Sequence, residues 1–254
     1  MRGRTAHDVL LAMVLMAVLP GMAMAQTRID ADPELAAAKA ALDAGHGAEG
    51  LDLFKTAAKA GKSEAMAQVA RIYLEGEGGV MPDYAAAMEW AQKAADAGAG
   101  RGNLLLGQIW MQGLGVTVDP DKALGYFKLA AAGGDMKAGR YAGLIAQQQG
   151  DVQTAADWFR QAAEQGDITS QYYLGQAYET GTGAPQDDVA AMAWYQKSAS
   201  RGDIIASDGM VGMAGLYERG LGVPQDMTKA VAVYQQAAGL GNGLAKAALV
   251  RLGK

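Results

Sequence analysis

Six short segments of this chain close in the same way, and that regularity restricts the fold more than any other feature. LFKTAAKAG ends at Gly61, WAQKAADAG at Gly98, YFKLAAAGG at Gly134, WFRQAAEQG at Gly166, WYQKSASRG at Gly202 and VYQQAAGLG at Gly241. The intervals between the closing glycines are 37, 36, 32, 36 and 39 residues. A period of that length marks an array of like units, each too small to bury a core alone and stable only when stacked on its neighbours. Each closing glycine lies eight residues after a large residue: Leu53, Trp90, Tyr126, Trp158, Trp194 or Val233. Seven residues further upstream stand Asp83, Asp119, Asp151, Asp187 and Asp226, with His46 in the first unit.

The physics of one unit follows from these positions. Asp is a strong N-cap, and in Asp119-Pro120 it precedes a proline suited to the first helical position. The closing glycine stands where a helix end needs the left-handed conformation. The spacing predicts a helix B from the Asp to just before that glycine. Upstream, segments such as SQYYLGQAY and GNLLLGQIW read as helix A, terminated in four units by a glycine loop: GEGGVMPD, GLGVTVD, GTGAPQD and GLGVPQD. Three residues before each loop is an aromatic: Tyr73, Trp110, Tyr178 or Tyr217. A small residue three positions earlier (Ala70, Gly107, Gly175, Ala214) lets a neighbouring helix approach closely. The unit is therefore a tight helix hairpin, and 35 glycines among 254 residues reflect one turn used many times. The unit ending at Gly166 lacks the glycine loop, and so does the first, where Asp32-Pro33 opens an alanine-rich helix. The unit ending at Gly241 carries three extra residues in IIASDGMV, and residues 242–252 read as a lone capping helix. The aromatic columns, including Trp90, Trp158, Trp194 and Tyr178, are expected in the core.

At these residues the chain resembles the Sel-one-like repeat (SLR) family of tetratricopeptide-type repeats. The match runs through Leu174-Gly175, Tyr178, Gly181, Gly183, Asp187, Trp194-Tyr195 and Lys197, and again through Gly220, Gly222, Val223, Asp226, Lys229-Ala230 and Tyr234. The resemblance implies an all-α fold, an α/α solenoid of about six helix hairpins with a C-terminal capping helix. It also implies a concave surface and a role in holding partner proteins.

The first 25 residues read as a secretory signal peptide: Arg2 and Arg4, an apolar run from Val9 to Leu19, then Ala23-Met24-Ala25 as a cleavage site. The organisation expected is 1–25 signal peptide, 26–47 an N-terminal segment with a first capping helix, and 48–254 the repeat solenoid. Cleavage near Ala25 would leave an exported, periplasmic or secreted chain with no stable membrane insertion.

The residue types argue against chemistry. There is no cysteine, and the mature chain would hold one histidine, His46, so thiolate nucleophiles, zinc-thiolate sites and histidine-rich metal sites are excluded. With 22 basic against 27 acidic side chains and a net charge of −5, there is no electrostatic footprint for nucleic acid. The glycine loops neither continue as G-x-G-x-x-G after a strand nor end in GK[ST], so they read as turns rather than nucleotide cradles. No S-x-x-K occurs. A Ser-His-Asp triad would need His46, which occupies the N-cap column instead. The expectation is therefore a non-enzyme with no cofactor and no metal: an exported scaffold or adaptor acting on an envelope sensor or an assembly machine. Two alternatives are a cell-wall or β-lactam ligand binder or hydrolase, disfavoured because that SLR branch is disulfide-stapled, and a secreted factor meeting a host protein. On helix A, the stripe opposite the core-facing side is the expected partner-binding face. It holds Glu64, Gln68 and Arg71, then Arg101 and Gln108, then Arg140, then Tyr172 and Gln176.

Overall fold

The computed structural model describes Ile29 and residues 31–254; the expected signal peptide and its cleavage site lie outside the described residues. Among those described there are thirteen α-helices and no strand. They are α1 (Pro33–Asp43), α2 (Gly47–Lys59), α3 (Ser63–Glu75), α4 (Tyr84–Asp96), α5 (Gly100–Gln112), α6 (Pro120–Ala132) and α7 (Met136–Gln148). They continue as α8 (Val152–Glu164), α9 (Ile168–Thr180), α10 (Asp188–Ala199), α11 (Ser207–Arg219), α12 (Met227–Gly239) and α13 (Gly243–Arg251). Each helix packs on the one before and the one after it. The result is six antiparallel hairpins, α1/α2 to α11/α12, with α13 closing the end. In the terms used above, odd-numbered helices are A and even-numbered ones B. The three extra residues, Ile204–Ala206, form a single 3-10 turn ahead of α11.

The capping residues do what their positions dictate. Asp83, Asp119, Asp151, Asp187 and Asp226 each accept from the backbone N–H three residues on, at 2.9–3.1 Å. His46 occupies the same position without a side-chain cap bond. The closing glycines Gly61, Gly98, Gly134, Gly166, Gly202 and Gly241 all have φ between 72° and 98°. The spacing between the A-helix aromatic and the capping Asp also has a cause. The Asp83, Asp119, Asp187 and Asp226 N–H groups donate to the carbonyls of Tyr73, Trp110, Tyr178 and Tyr217 at 2.9–3.0 Å, closing each glycine loop into a fixed ring.

Within a hairpin the helices meet through a notch. Gly107 faces the Phe127 ring, Gly143 the Phe159 ring and Gly175 the Tyr195 ring; a Cβ on any of these glycines would stand 2.5–2.7 Å from ring carbon. Between hairpins the second glycine of each loop does the packing. Gly183 lies against the Val152 carbonyl and Gly222 against the Asp188 carbonyl, both too close for any side chain. A loop from one hairpin thus seats on the start of helix B of the hairpin before it. That contact sets the stacking register.

The core column of helix B is one residue later than its bulkiest residues suggest. Phe54, Phe127, Phe159, Tyr195 and Tyr234 are buried, while Trp90, Trp158 and Trp194 are half-buried at the seams between hairpins. The Lys93 and Lys197 ammonium groups cover the Trp90 and Trp194 rings at 4.4 and 3.7 Å. The seam is an amphipathic position: a ring edge packed inward, a face open to a cation.

Candidate partner-binding face

The A helices form the inner side of the stack. Helices α3 and α5 touch directly, as do α9 and α11, and no pair of B helices does so to that extent. Neighbouring elements that converge on one side define the concave face of a solenoid.

The eight residues expected on this face all come from A helices, and the structure sorts them by what they hold. In α3, Gln68 is buried; its amide nitrogen donates to Glu64 at 3.3 Å and its oxygen accepts from Arg71 Nε at 3.0 Å. Arg71 also pairs with Glu75 at 3.2 Å and with Glu77 in the following loop at 2.6 Å. Gln68 is therefore an internal strut, and Arg71 anchors the loop with all three guanidinium nitrogens engaged. In α5, Arg101 is half-buried and makes no hydrogen bond or ion pair among the described residues, so its guanidinium is uncommitted. Gln108 donates weakly to the Tyr141 hydroxyl of α7, at 3.4 Å. Arg140 of α7 reaches α9, bonding Asp167 at 3.0 Å and the Thr169 hydroxyl at 3.3 Å. Asp167 is itself only 6% exposed and caps α9 through the Ser170 N–H at 2.8 Å. In α9, the Tyr172 ring lies 5.9 Å from that of Tyr195, and burial pushes its hydroxyl above the ordinary tyrosine range. The Gln176 side chain makes no hydrogen bond among the described residues.

Sequence reasoning missed the residues that join one A helix to the next. Glu179 of α9 accepts from the Tyr195 hydroxyl at 2.6 Å and pairs with Arg219 of α11. One hairpin later, Glu218 accepts from the Tyr234 hydroxyl at 3.0 Å and takes both Arg251 nitrogens at 2.6 and 2.8 Å. The Arg251 bonds hold the Glu218 carboxyl below its usual range. Burial, reinforced by the carboxylate, pushes the Tyr195 hydroxyl far up and the Tyr234 hydroxyl to about 12. These tyrosines are donors in a structural chain, protonated at any ordinary pH. The repeated Tyr–Glu–Arg arrangement was legible only as recurrence of Glu179 and Glu218 at equal places after Tyr178 and Tyr217.

One opening interrupts the face. A cleft of about 210 Å³ lies between the end of α7, the start of α8 and the C-terminal half of α9. It adjoins the short turn that replaces a glycine loop in this hairpin. Among the described residues no three His, Cys, Asp or Glu side chains are placed to hold a metal ion, and no helix is long and apolar enough to cross a membrane.

The Sel1 repeat model matches residues 63–98, 101–135, 137–167, 168–203 and 207–242, which are the hairpins from α3/α4 to α11/α12 with their closing turns. A Sel1 repeat protein from Oxalobacter formigenes has a similar crystal structure, with a TM-score of 0.70 and 30% identity over 81% of this chain and 60% of that one. The same TM-score, with 32% identity, relates 89% of the chain to 50% of c5321, a protective antigen present in uropathogenic Escherichia coli strains displaying an SLR fold. Among curated proteins, the chitin synthase regulator SKT5 of Saccharomyces cerevisiae is 35% identical over 164 residues, 59% of this chain and 23% of that protein. The uncharacterized protein NMB1327 of Neisseria meningitidis is 30% identical over 161 residues, 61% of this chain and 32% of that protein. The chain thus spans only about a fifth to a third of the curated relatives it matches. Sel1 repeats generally mediate protein–protein interaction. With five repeats matched in one continuous stack and the hairpin geometry to go with them, the chain belongs to the Sel1 repeat family.

Proposed function

We propose that the chain is an exported scaffold, without catalysis of its own, that holds a partner protein on the concave face of its A helices. The observation that carries this reading is the make-up of that face. Arg101 and Gln108 on α5 and Tyr172 and Gln176 on α9 stand on that face while a second set of side chains braces the helices against each other. Arginine and tyrosine on a rigid, pre-organised surface are what protein interfaces use as anchors. Export rests on the sequence of residues 1–25, and a partner in the cell envelope follows from it. The yeast relative is named a regulator of an enzyme, which fits action through another protein. A second reading, an encounter with a host protein, draws support from the likeness to the uropathogenic antigen.

Two measurements test this. Fractionation with N-terminal mass spectrometry is expected to find a soluble species beginning at Gln26; a membrane-bound species retaining Met1 contradicts export. Pull-down from envelope extract with the Arg101→Glu, Gln108→Ala variant is expected to lose its partner, while Lys59→Glu, Lys128→Glu on the B helices keeps it. Equal capture by both variants would place the partner elsewhere.

A further inference from the structure

Each glycine loop of the chain rests on the same kind of seat. Gly78 lies against Gly47, Gly115 against Tyr84, Gly183 against Val152 and Gly222 against Asp188, the first helical residues of α2, α4, α8 and α10. The loop then covers the helix one turn further on: Ala184 packs with Ala156, and Leu221 and Val223 pack in one cluster with Met192. Under these loops Leu51, Ala156 and Met192, each four residues beyond the first of its helix, are buried.

Two B helices carry no glycine loop on their first residue. On α6 the short turn of the α7/α8 hairpin stands in, and Gln149 of that turn donates to Asp121 at 3.1 Å. On α12 nothing among the described residues stands in, because α13 is nine residues long where α5 and α9 are thirteen. A cleft of about 520 Å³ remains there, walled by Met227, Val231 and Gln235 of α12 and by Leu252 and Lys254 at the end of α13. The three α12 residues hold the places of Asp188, Met192 and Gln196 in α10. Met227 is 40% exposed and Val231 is half-buried, where Met192 beneath its loop is buried. The apolar wall is open surface that a loop covers elsewhere in the same stack.

The filled seats specify the occupant. At Gly183 and Gly222 a Cβ would overlap the carbonyl beneath it, so the segment that seats must offer a glycine in the left-handed conformation. The residue after that glycine is small or apolar, as in Ala184 and Val223. Lys254 is the one charged residue of the lining, and each of the four loops ends on an aspartate: Asp83, Asp119, Asp187 or Asp226. A second copy of this chain has no such loop to offer. All four are seated in their own stack, and the glycines of the short turns, Gly45 and Gly150, stand in open space rather than on a helix start.

We infer that the groove beside α12 docks a Gly-x-Gly loop presented by a different Sel1-type repeat protein, so that two arrays abut through the contact that joins hairpins within each. This surface is separate from the concave face and goes beyond the partner proposed for it.

The probe is a cyclic decapeptide with the sequence of Tyr217–Asp226, a stretch that the fold itself closes through the Asp226 N–H and the Tyr217 carbonyl at 2.9 Å. Closing the ring spares the ordering cost that a linear loop would carry. It is titrated into the protein with the methyl signals of Met227 and Val231 as NMR reporters, and saturable shifts are expected at both. The same peptide with alanine in place of Gly222 is expected to bind at least about tenfold more weakly, the penalty of forcing a methyl into a closed contact. In the protein, Ala232→Trp fills the groove from an exposed position, and Met227→Glu places a charge where the loop would strip its water. Each is expected to weaken binding of the glycine peptide severalfold, read at Val231. No saturable shift, equal affinity for the alanine peptide, or unchanged affinity in both variants would overturn the inference. The concave-face pull-down changes none of these residues, so either result can fail while the other stands.

Discussion

Tyr195 lies in a notch cut by Gly212: a Cβ on that glycine would stand 2.6 Å from the tyrosine ring. Gly175 cuts the other side of the same notch at 2.7 Å, so one ring from α10 is clasped by α9 and α11 at once. Gly212→Ala should therefore cost about 1–3 kcal/mol, the usual penalty for overpacking, despite alanine's better helix propensity. Gly125 and Gly239, also in helices, have open space within 4 Å of the point an alanine methyl would occupy. Their alanine variants should instead gain up to about 1 kcal/mol. Denaturant midpoints compare the two sets, and the same sign for both would contradict the notch.

The same ring shows where sequence was and was not informative. Asp caps, closing glycines, the number of hairpins and the short turn of the α7/α8 hairpin were legible because each needs a particular residue at a fixed backbone position. Adjacent side chains on a helix differ by about 100° in direction, and size alone does not say which points inward. Trp194 is larger, yet Tyr195 fits the glycine notch, and Trp194 remains at the seam under Lys197. On helix A the position just before the aromatic was also overlooked as core: Ile72, Ile109 and Leu216 are completely buried. For the candidate face, the stripe was blind to burial and pairing: Gln68 lies buried. Gln68 is spent on Arg71, one helical turn along the same helix, and Arg140 on Asp167, which the register of the next hairpin brings to it.

Tyr195→Ala should accordingly destabilise by about 3–5 kcal/mol, the range for an emptied aromatic core site. Trp194→Ala should cost distinctly less. Chemical denaturation of both variants checks the order, and a larger loss at Trp194 would contradict the assignment of the core column.

Loop glycines separate stacking from local conformation. Gly222 has a φ of 67° and abuts the Asp188 carbonyl of the preceding hairpin, whereas Gly61 has a φ of 89° with open space around it. Gly61→Ala should cost about 1 kcal/mol, the strain of the left-handed region alone. Gly222→Ala adds a clash that forces two hairpins apart, and thermal unfolding should show a clearly greater loss. Equal losses would mean that the loop does not set the register.

Tyr234 supplies a pH test. Burial and the bond to Glu218 raise its folded value to about 12, against an ordinary value of 10.0. A raised value favours the protonated folded form, so this stability is fully present below pH 10 and drains away as pH rises toward 12. Tyr234→Phe should flatten the stability profile across that window while leaving its slope at lower pH unchanged. An unchanged alkaline slope would contradict the buried hydroxyl.

Whether the A-helix face meets the partner is tested most directly by site-specific photo-crosslinking. A photoreactive residue is placed at Arg101, Gln108 or Gln176 on the concave side and at Lys59 or Lys128 on B helices, and the protein is irradiated in envelope extract. The same discrete adduct is expected from the concave positions and none from the B-helix positions. That adduct from Lys59 or Lys128, with none from the concave positions, would contradict a partner held on the A helices.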